Sequence, residues 1–358
     1  MITFLLKRLW YGLWVLFGVV TVIFLLFTVL PGDPARMMLG QRADLASVES
    51  IQRELGLDRP VAVQYFNYLN DLSPISIHRT DDSQSLFFLH PDKYSHTRLV
   101  HFGSYVLVVK MPYLRTSYQS NRPVASILGS ALPNTLLLAL VSIFFALLAG
   151  VVLGTLTALN DHPYLSRATL VFSVFGMALP SFFAAILFAW VFAFLLGDYT
   201  GLNMTGSLYA VDDFGRGEYM EIKNIILPAV TLGIRPLAVV TELTRGSLQQ
   251  VLAQDYIRTA RAKGMSSYRV ITRHALKNAL NPVVTSVSGW FAGLMAGAVF
   301  VEFVFDWKGI GVVIVEALEY YDFPVVMGAV MMISVLLVMI NIVVDVLYGL
   351  LDPRVRMT

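Results

Sequence analysis

Six apolar runs divide this chain, at 9–30, 131–158, 168–196, 225–244, 283–304 and 325–350. About 20 apolar residues suffice to cross a bilayer as a helix. The pattern therefore predicts an all-α polytopic membrane protein with six transmembrane helices. Composition points the same way: 56% of the 358 residues are hydrophobic and only 14% are charged, where a soluble domain carries about a quarter charged residues. The fourth run is the weakest, because Pro228, Arg235 and Pro236 interrupt it. Neighbouring helices or a water-filled path must satisfy the freed backbone there. The chain has no cysteine, which excludes disulfides, thiolate metal sites and cysteine nucleophiles.

The first run follows Lys7-Arg8, exceeds a signal-peptide core in length and lacks a small-x-small cleavage site. It reads as a retained helix whose amino end is cytoplasmic. Six crossings return the carboxyl end to the same side. The segments then assigned to the cytoplasm hold Lys7, Arg8, Arg167, Arg245, Arg258, Arg261, Lys263, Arg269, Arg273, Lys277, Arg354 and Arg356. The short outer loops 197–224 and 305–324 hold only Arg216, Lys223 and Lys308, among many acids. That asymmetry supports the orientation.

The organisation expected is an N-terminal helix over 1–30, an extracytoplasmic segment over 31–127, a membrane core over 128–350 and a cytoplasmic tail over 351–358. The outer segment opens with the turn PGDP (31–34). SVESIQRELGLDRPVAVQYFNYL (47–69) reads as a helix ended near Gly56 and a second helix after Pro60. Residues 70–122 are mixed and polar, with YVLVVKM (105–111) as a candidate strand.

Between the fourth and fifth runs lies DYIRTARAKGMSSYRVITRHALKNALNP (255–282), polar and largely basic. One straight helix would span about 42 Å, but Gly264 is a natural stop and Ser266 or Ser267 can cap a second piece. Tyr256, Ala260 and Gly264 share one face of the first helix. Tyr268, Ile271, Ala275 and Ala279 share one face of the second. Pro282 opens the fifth membrane helix, where no N–H is needed. Ala260, Ala262 and Gly264 are small enough to let another protein approach. The plain alternative is a basic loop on membrane lipid headgroups.

DYIRTARAKG followed by HALKNALNPVVT resembles the EAA coupling motif of permeases of binding-protein-dependent ABC importers, dipeptide/oligopeptide/nickel branch. FLLKRLW (4–10), PGDPA (31–35), LGLDRPVAVQYFNYL (55–69), LPNTLLLAL (132–140), ALPSFFAAILF (178–188), ILPAVTLG (226–233), VEFVFDWKGIG (301–311), DFPVVMG (322–328) and NIVVDVLYGLLDPRVR (341–356) extend the resemblance over nearly the whole chain. It implies a type I importer permease in the bacterial cytoplasmic membrane. The implied partners are a second homologous permease, two cytoplasmic ATPases and an extracytoplasmic solute-binding protein. No nucleic acid is expected. The resemblance places the ATPase-coupling contact on Asp255, Tyr256, Ala260, Arg261, Ala262, Gly264, His274, Asn278 and Pro282. ATP-Mg would sit in the partner subunits, leaving this chain without a cofactor, a metal or a catalytic residue. The substrates implied are di- or oligopeptides, with nickel or an opine-like solute as the alternative.

The remaining candidates lie in the membrane core. Gly289, Gly293 and Gly297 repeat at four-residue spacing, which allows close helix packing within or between subunits, with a pore-lining role as the alternative. Glu302 stands before FDWKGIG, as a gate, a binding-protein contact or a hydrated interfacial carboxylate. The family usually has proline where this chain has Lys308, and commonly has fewer residues in place of 70–122. That insertion is either a docking element for the binding protein or a decoration. Intramembrane ionisable groups are functional candidates by default; Arg235 would line the path, while Glu242 and Asp345 fall near the interface.

Two other classes were weighed. An intramembrane enzyme would need a buried Ser–His dyad, HExxH or GxSxG. The six histidines, 78, 90, 96, 101, 162 and 274, read as loop residues. A secondary transporter or channel would need coupling groups at mid-membrane, where this chain offers only Arg235, and would leave the basic segment unexplained. The chain also lacks a GxxxxGK[ST] loop for ATP phosphates.

Overall fold

A computed structural model describes residues 2–29, 45–54, 56–82, 85, 87–89, 93, 94, 96–160, 163–211 and 217–351. The PGDP turn at 31–34 and the tail from 352 lie outside the described residues. Among the described residues four helices are long and apolar enough to cross a membrane, and the total is six if each of two bent pairs is one span. All six coincide with the runs read from the sequence. They are α1 (Ile2–Val29), α4 (Val124–Leu159), α5 (Pro163–Ala178) with α6 (Ser181–Phe188), α7 (Ile226–Leu252), α9 (Asn281–Phe305) and α11 (Phe323–Leu351).

The third run, read as one crossing over 168–196, is broken. Its halves meet at 113°. Pro180 is the cause: proline pushes the residue before it out of the helical region, and its own ψ of 139° is extended. A π-helical stretch, Ala189–Leu195, continues α6.

The chain divides into two compact units. The first contains residues 131–312, with 337–351 at its end. Its centre is α7, the run that looked weakest. In α7 78% of the most apolar window is buried, against 22–39% in the other three unbroken spans. Close approach explains this. A Cβ on Gly150 of α4 would sit 2.7 Å from Val240 Cγ1, and one on Gly154 would sit 2.6 Å from the Thr241 carbonyl. On α7 itself, a Cβ at Gly233 would meet the Ser142 carbonyl at 2.8 Å. Small residues at such contacts let membrane helices pack backbone to backbone. Prolines are tolerable in a helix so enclosed, because its neighbours exclude lipid from the freed carbonyls.

The second unit spans residues 6–130 and 313–336. The segment between α1 and α4 carries α2 (Leu45–Glu54) and α3 (Val61–Leu72), separated by Gly56 at φ 70° and by Pro60. Tyr65 and Tyr68 of α3 stack on Phe24 of α1, and the Thr21 hydroxyl meets the Tyr65 hydroxyl at 2.6 Å. Val20, Ile23, Leu72 and Met327 complete this core. The insertion folds as an antiparallel sheet of β1 (Ile75–Arg79), β2 (His96–Phe102) and β3 (Tyr105–Lys110), in the order β1-β3-β2. The strand expected over 105–111 is its central member. Val106 and Val108 point from it into a small core with Leu89 and Tyr94.

A buried polar cluster ties this sheet to α3. Asp71 accepts hydrogen bonds from the Tyr94 hydroxyl (2.8 Å) and Arg115 Nε (3.1 Å), while its carbonyl accepts from Lys110 Nζ (2.7 Å). Beside it, His78 is 1% exposed on β1, not in a loop, with Nε2 3.0 Å from the Ser76 hydroxyl. Burial, helped by the Lys110 charge, lowers the His78 pKa to about 4. The unfolded imidazole therefore takes up a proton that the folded one refuses. Stability contributed by the neutral ring is complete above about pH 6.5 and is lost as pH falls through 4, with about 3 kcal/mol as the upper limit. Protection factors, the measured exchange rates corrected for the intrinsic rate at each pH, are expected to fall at Ser76 and Val106–Val108 between pH 7.5 and 4.5. A His78→Leu chain exchanging with the same pH profile would refute this assignment.

Candidate functional site

The 255–282 segment folds as a hairpin of two short helices. α8 (Asp255–Ala262) ends at Lys263, and Gly264 takes φ 77°, the left-handed value that glycine adopts without strain. Gly264 N–H then bonds the Arg261 carbonyl at 3.0 Å. Ser266 occupies the cap position, with no side-chain cap bond, before Ser267–Arg269, a π turn at Val270–Ala275, and Leu276–Ala279. The two helices enclose Ile257, Ala260, Val270, Ala275 and Ala279 against Leu248 of α7. Tyr256 and Asn278 are joined across the hairpin at 2.9 Å.

The expected faces are partly displaced. Ala260 turns inward and is not offered to a partner, whereas Tyr256, Arg261, Ala262 and Gly264 are exposed. In the second helix Tyr268 is 77% exposed, and Val270 takes the inward place. The π turn is the reason. It inserts one residue, so the buried face runs Val270, Ala275, Ala279 instead of starting at Tyr268. Arg258, Arg261, Lys263, Arg269, Arg273 and Lys277 remain outside, as do Asn278 and Pro282, while His274 is half-buried. The result is a rigid, apolar-cored knob with a basic surface.

In the membrane core, Glu302 is 0% exposed within this chain. Its Oε2 accepts the Gly311 N–H at 2.6 Å. The same loop is held from α4: Trp307 Nε1 donates to the Asn134 carbonyl (3.0 Å), Asn134 Nδ2 to the Lys308 carbonyl (2.7 Å) and Ile310 N–H to the Thr135 hydroxyl (2.8 Å). Two motifs far apart in sequence, LPNT and DWKGIG, thus form one joint. Glu302→Gln keeps an acceptor for Gly311; Glu302→Ala leaves a buried N–H unpaired, at about 1–3 kcal/mol. We expect the alanine variant alone to loosen the 306–311 loop, read as faster proteolysis there; equal cleavage in both variants would contradict this role.

Gly289 and Gly293 have open space where a Cβ would stand. Among the described residues no atom stands within 4 Å of either would-be Cβ; of Gly297 only the helical backbone is described. Arg235 is exposed on α7, with Nη2 donating to the Met177 carbonyl at 3.2 Å. A mid-helix arginine costs roughly 2.5–3.5 kcal/mol on insertion scales, so a lipid-facing place is disfavoured.

The family model for the binding-protein-dependent transport system inner membrane component matches residues 150–357, and the corresponding N-terminal model matches residues 1–83. The chain belongs to this permease family. It is 31% identical to a dipeptide transport system permease protein of Alkalihalophilus pseudofirmus, over 99% of this chain and all of that one. It is 32% identical to a glutathione transport system permease protein of Escherichia coli strain K12, over 99% of both. A crystal structure of an amino acid ABC transporter aligns with 64% of this chain and 95% of that one, at a TM-score of 0.45 and 14% identity.

As a member of this family the permease is a multi-pass membrane transport subunit, not an enzyme. Several residues that organise it carried no signal in the sequence reading. Gly150, Gly154 and Gly233, not the 289/293 pair, make the close helix contacts. Asp322, taken only as an outer-loop acid, is 4% exposed and clasps the turn after Arg115. Its carboxylate accepts from the Ser117 hydroxyl (2.5 Å) and the Tyr118 N–H (3.0 Å). The one available hint was that Asp322 opens DFPVVMG (322–328), one of the stretches that carry the family resemblance.

Proposed function

We propose that this permease is a pore-forming subunit of an ATP-driven importer of short peptides. The observation that carries the reading is the basic knob between α7 and α9. It is a prebuilt hairpin with its own apolar core, suited to a surface groove of a cytoplasmic ATPase. Asp255, Tyr256, Arg261, Ala262 and Gly264 would make that contact, with His274, Asn278 and Pro282 holding the second helix in place. Two ATPases carrying ATP-Mg, a second homologous permease and an outer solute-binding protein complete the assembly. The open faces of Gly289 and Gly293 suit the second permease or the pore. Both termini would be cytoplasmic in a bacterial inner membrane, matching the charge asymmetry. Relatives named for dipeptide and glutathione transport support a peptide cargo, and an arginine in the path would repel a nickel cation.

Purification of the tagged chain from its own membrane in mild detergent tests this. Stoichiometric recovery of a Walker-A ATPase and a second permease is expected. A clean homo-oligomer without ATPase, under conditions that preserve a known ABC complex, would overturn the reading.

A further inference from the structure

From Leu227 to Leu248, α7 presents one exposed residue, Arg235. Every other position in that stretch is buried or half-buried against neighbouring helices. Arg235 is the tenth of 27 residues in α7, deep within the span. It therefore stands in a gap in an otherwise closed helix packing. The gap is next to the Pro180 break. Gly176 brings α5 close to α7 there, with its would-be Cβ 3.4 Å from the Ile234 carbonyl. Nη2 of Arg235 is anchored on the Met177 carbonyl at 3.2 Å, one of the last carbonyls of α5, which the break leaves without helical partners. A guanidinium has five N–H donors in a planar fork. One is used in anchoring, and the rest find no protein acceptor among the described residues.

We propose that Arg235 is an anion-binding residue in the translocation path, where it receives the carboxylate of a peptide in transit. The inference rests on the peptide-importer reading and gives it a chemical basis within the membrane. The Met177 carbonyl fixes the guanidinium plane. The free edge can then take a carboxylate by two parallel hydrogen bonds, which a lysine cannot reproduce. The single anchoring bond keeps the site weak enough to release cargo. A positive charge in a low-dielectric gap also concentrates anions over cations.

The absence of cysteine gives a clean test. Met177 is 38% exposed, so Met177→Cys reports on the gap without touching the backbone carbonyl. In the assembled complex, with each rate divided by that reagent's rate on a small free thiol, the anionic ethylsulfonate methanethiosulfonate is expected to modify this variant at least five-fold faster than the cationic trimethylammonium reagent. Adding Arg235→Gln should erase that preference. In vesicles, uptake of labelled dialanine should fall at least ten-fold in Arg235→Gln and less in Arg235→Lys, with binding-protein-stimulated ATP hydrolysis retained. Absence of labelling, equal reagent rates, or wild-type uptake by Arg235→Gln would overturn the proposal. If the unmodified complex imports no dialanine, the peptide reading fails, and the reagent preference still decides whether the gap holds an anion site.

Discussion

Gly154→Leu is expected to leave little monodisperse permease after extraction in detergent. A Cβ at this position lies 2.6 Å from the Thr241 carbonyl and 2.6 Å from Thr244 Cβ. The first obstacle is backbone, so no rotamer change relieves it. Overpacking typically costs 1–3 kcal/mol, and a leucine here must also push α4 off the most enclosed helix of the chain. We expect a loss of at least about 3 kcal/mol, seen as aggregation in size-exclusion chromatography and a sharply lower thermal midpoint. Gly129→Leu, on the same helix, is the control, because no atom stands within 4 Å of its would-be Cβ. It should extract like the unmodified chain. A Gly154→Leu protein that is monodisperse with an unshifted midpoint would show that α4 and α7 do not depend on this approach.

The second large effect belongs to Gly264. Leucine there should abolish transport while the chain still folds. No atom lies within 4 Å of its would-be Cβ, so space is not the difficulty. The φ of 77° costs a bulky residue roughly 1–2 kcal/mol, which a membrane-anchored hairpin with its own core can absorb. The lost function would come from the side chain standing on the exposed knob beside Arg261 and Ala262. Asparagine tolerates the left-handed region better and separates the two causes. If docking is what matters, Gly264→Asn also reduces ATPase recovery in a pull-down; if only the turn matters, it restores it. Full transport by Gly264→Leu would remove this glycine from the coupling surface.

The apolar spans were legible because lipid imposes length and apolarity on each of them. What lipid does not impose was hidden. Gly150 and Gly154 have the same four-residue spacing as Gly289 and Gly293, and only the neighbouring helix decides which pair is used. The third run was read as one crossing although Pro180 stands inside it, and neither the break nor its 113° angle was foreseen. The π turn at Val270–Ala275 has no sequence signature, so the periodicity of the knob was traced one residue out of step. Glu302 read as an interfacial acid because its partners, Gly311 and the loop around Trp307, come together only in three dimensions. The knob itself was recognisable from Gly264 and the serines after it, since turn chemistry is local.

The clasp on Asp322 has a consequence for how the chain is made. Ser117 and Asp322 are 205 residues apart. At about 5–20 residues per second, the ribosome needs roughly 10–40 s after delivering the turn before it supplies the carboxylate that holds it. Until then the segment after α1 has its sheet but not its closure. The last span must be under construction before that segment can finish folding, so a chain truncated before α11 would leave the segment more open to proteolysis.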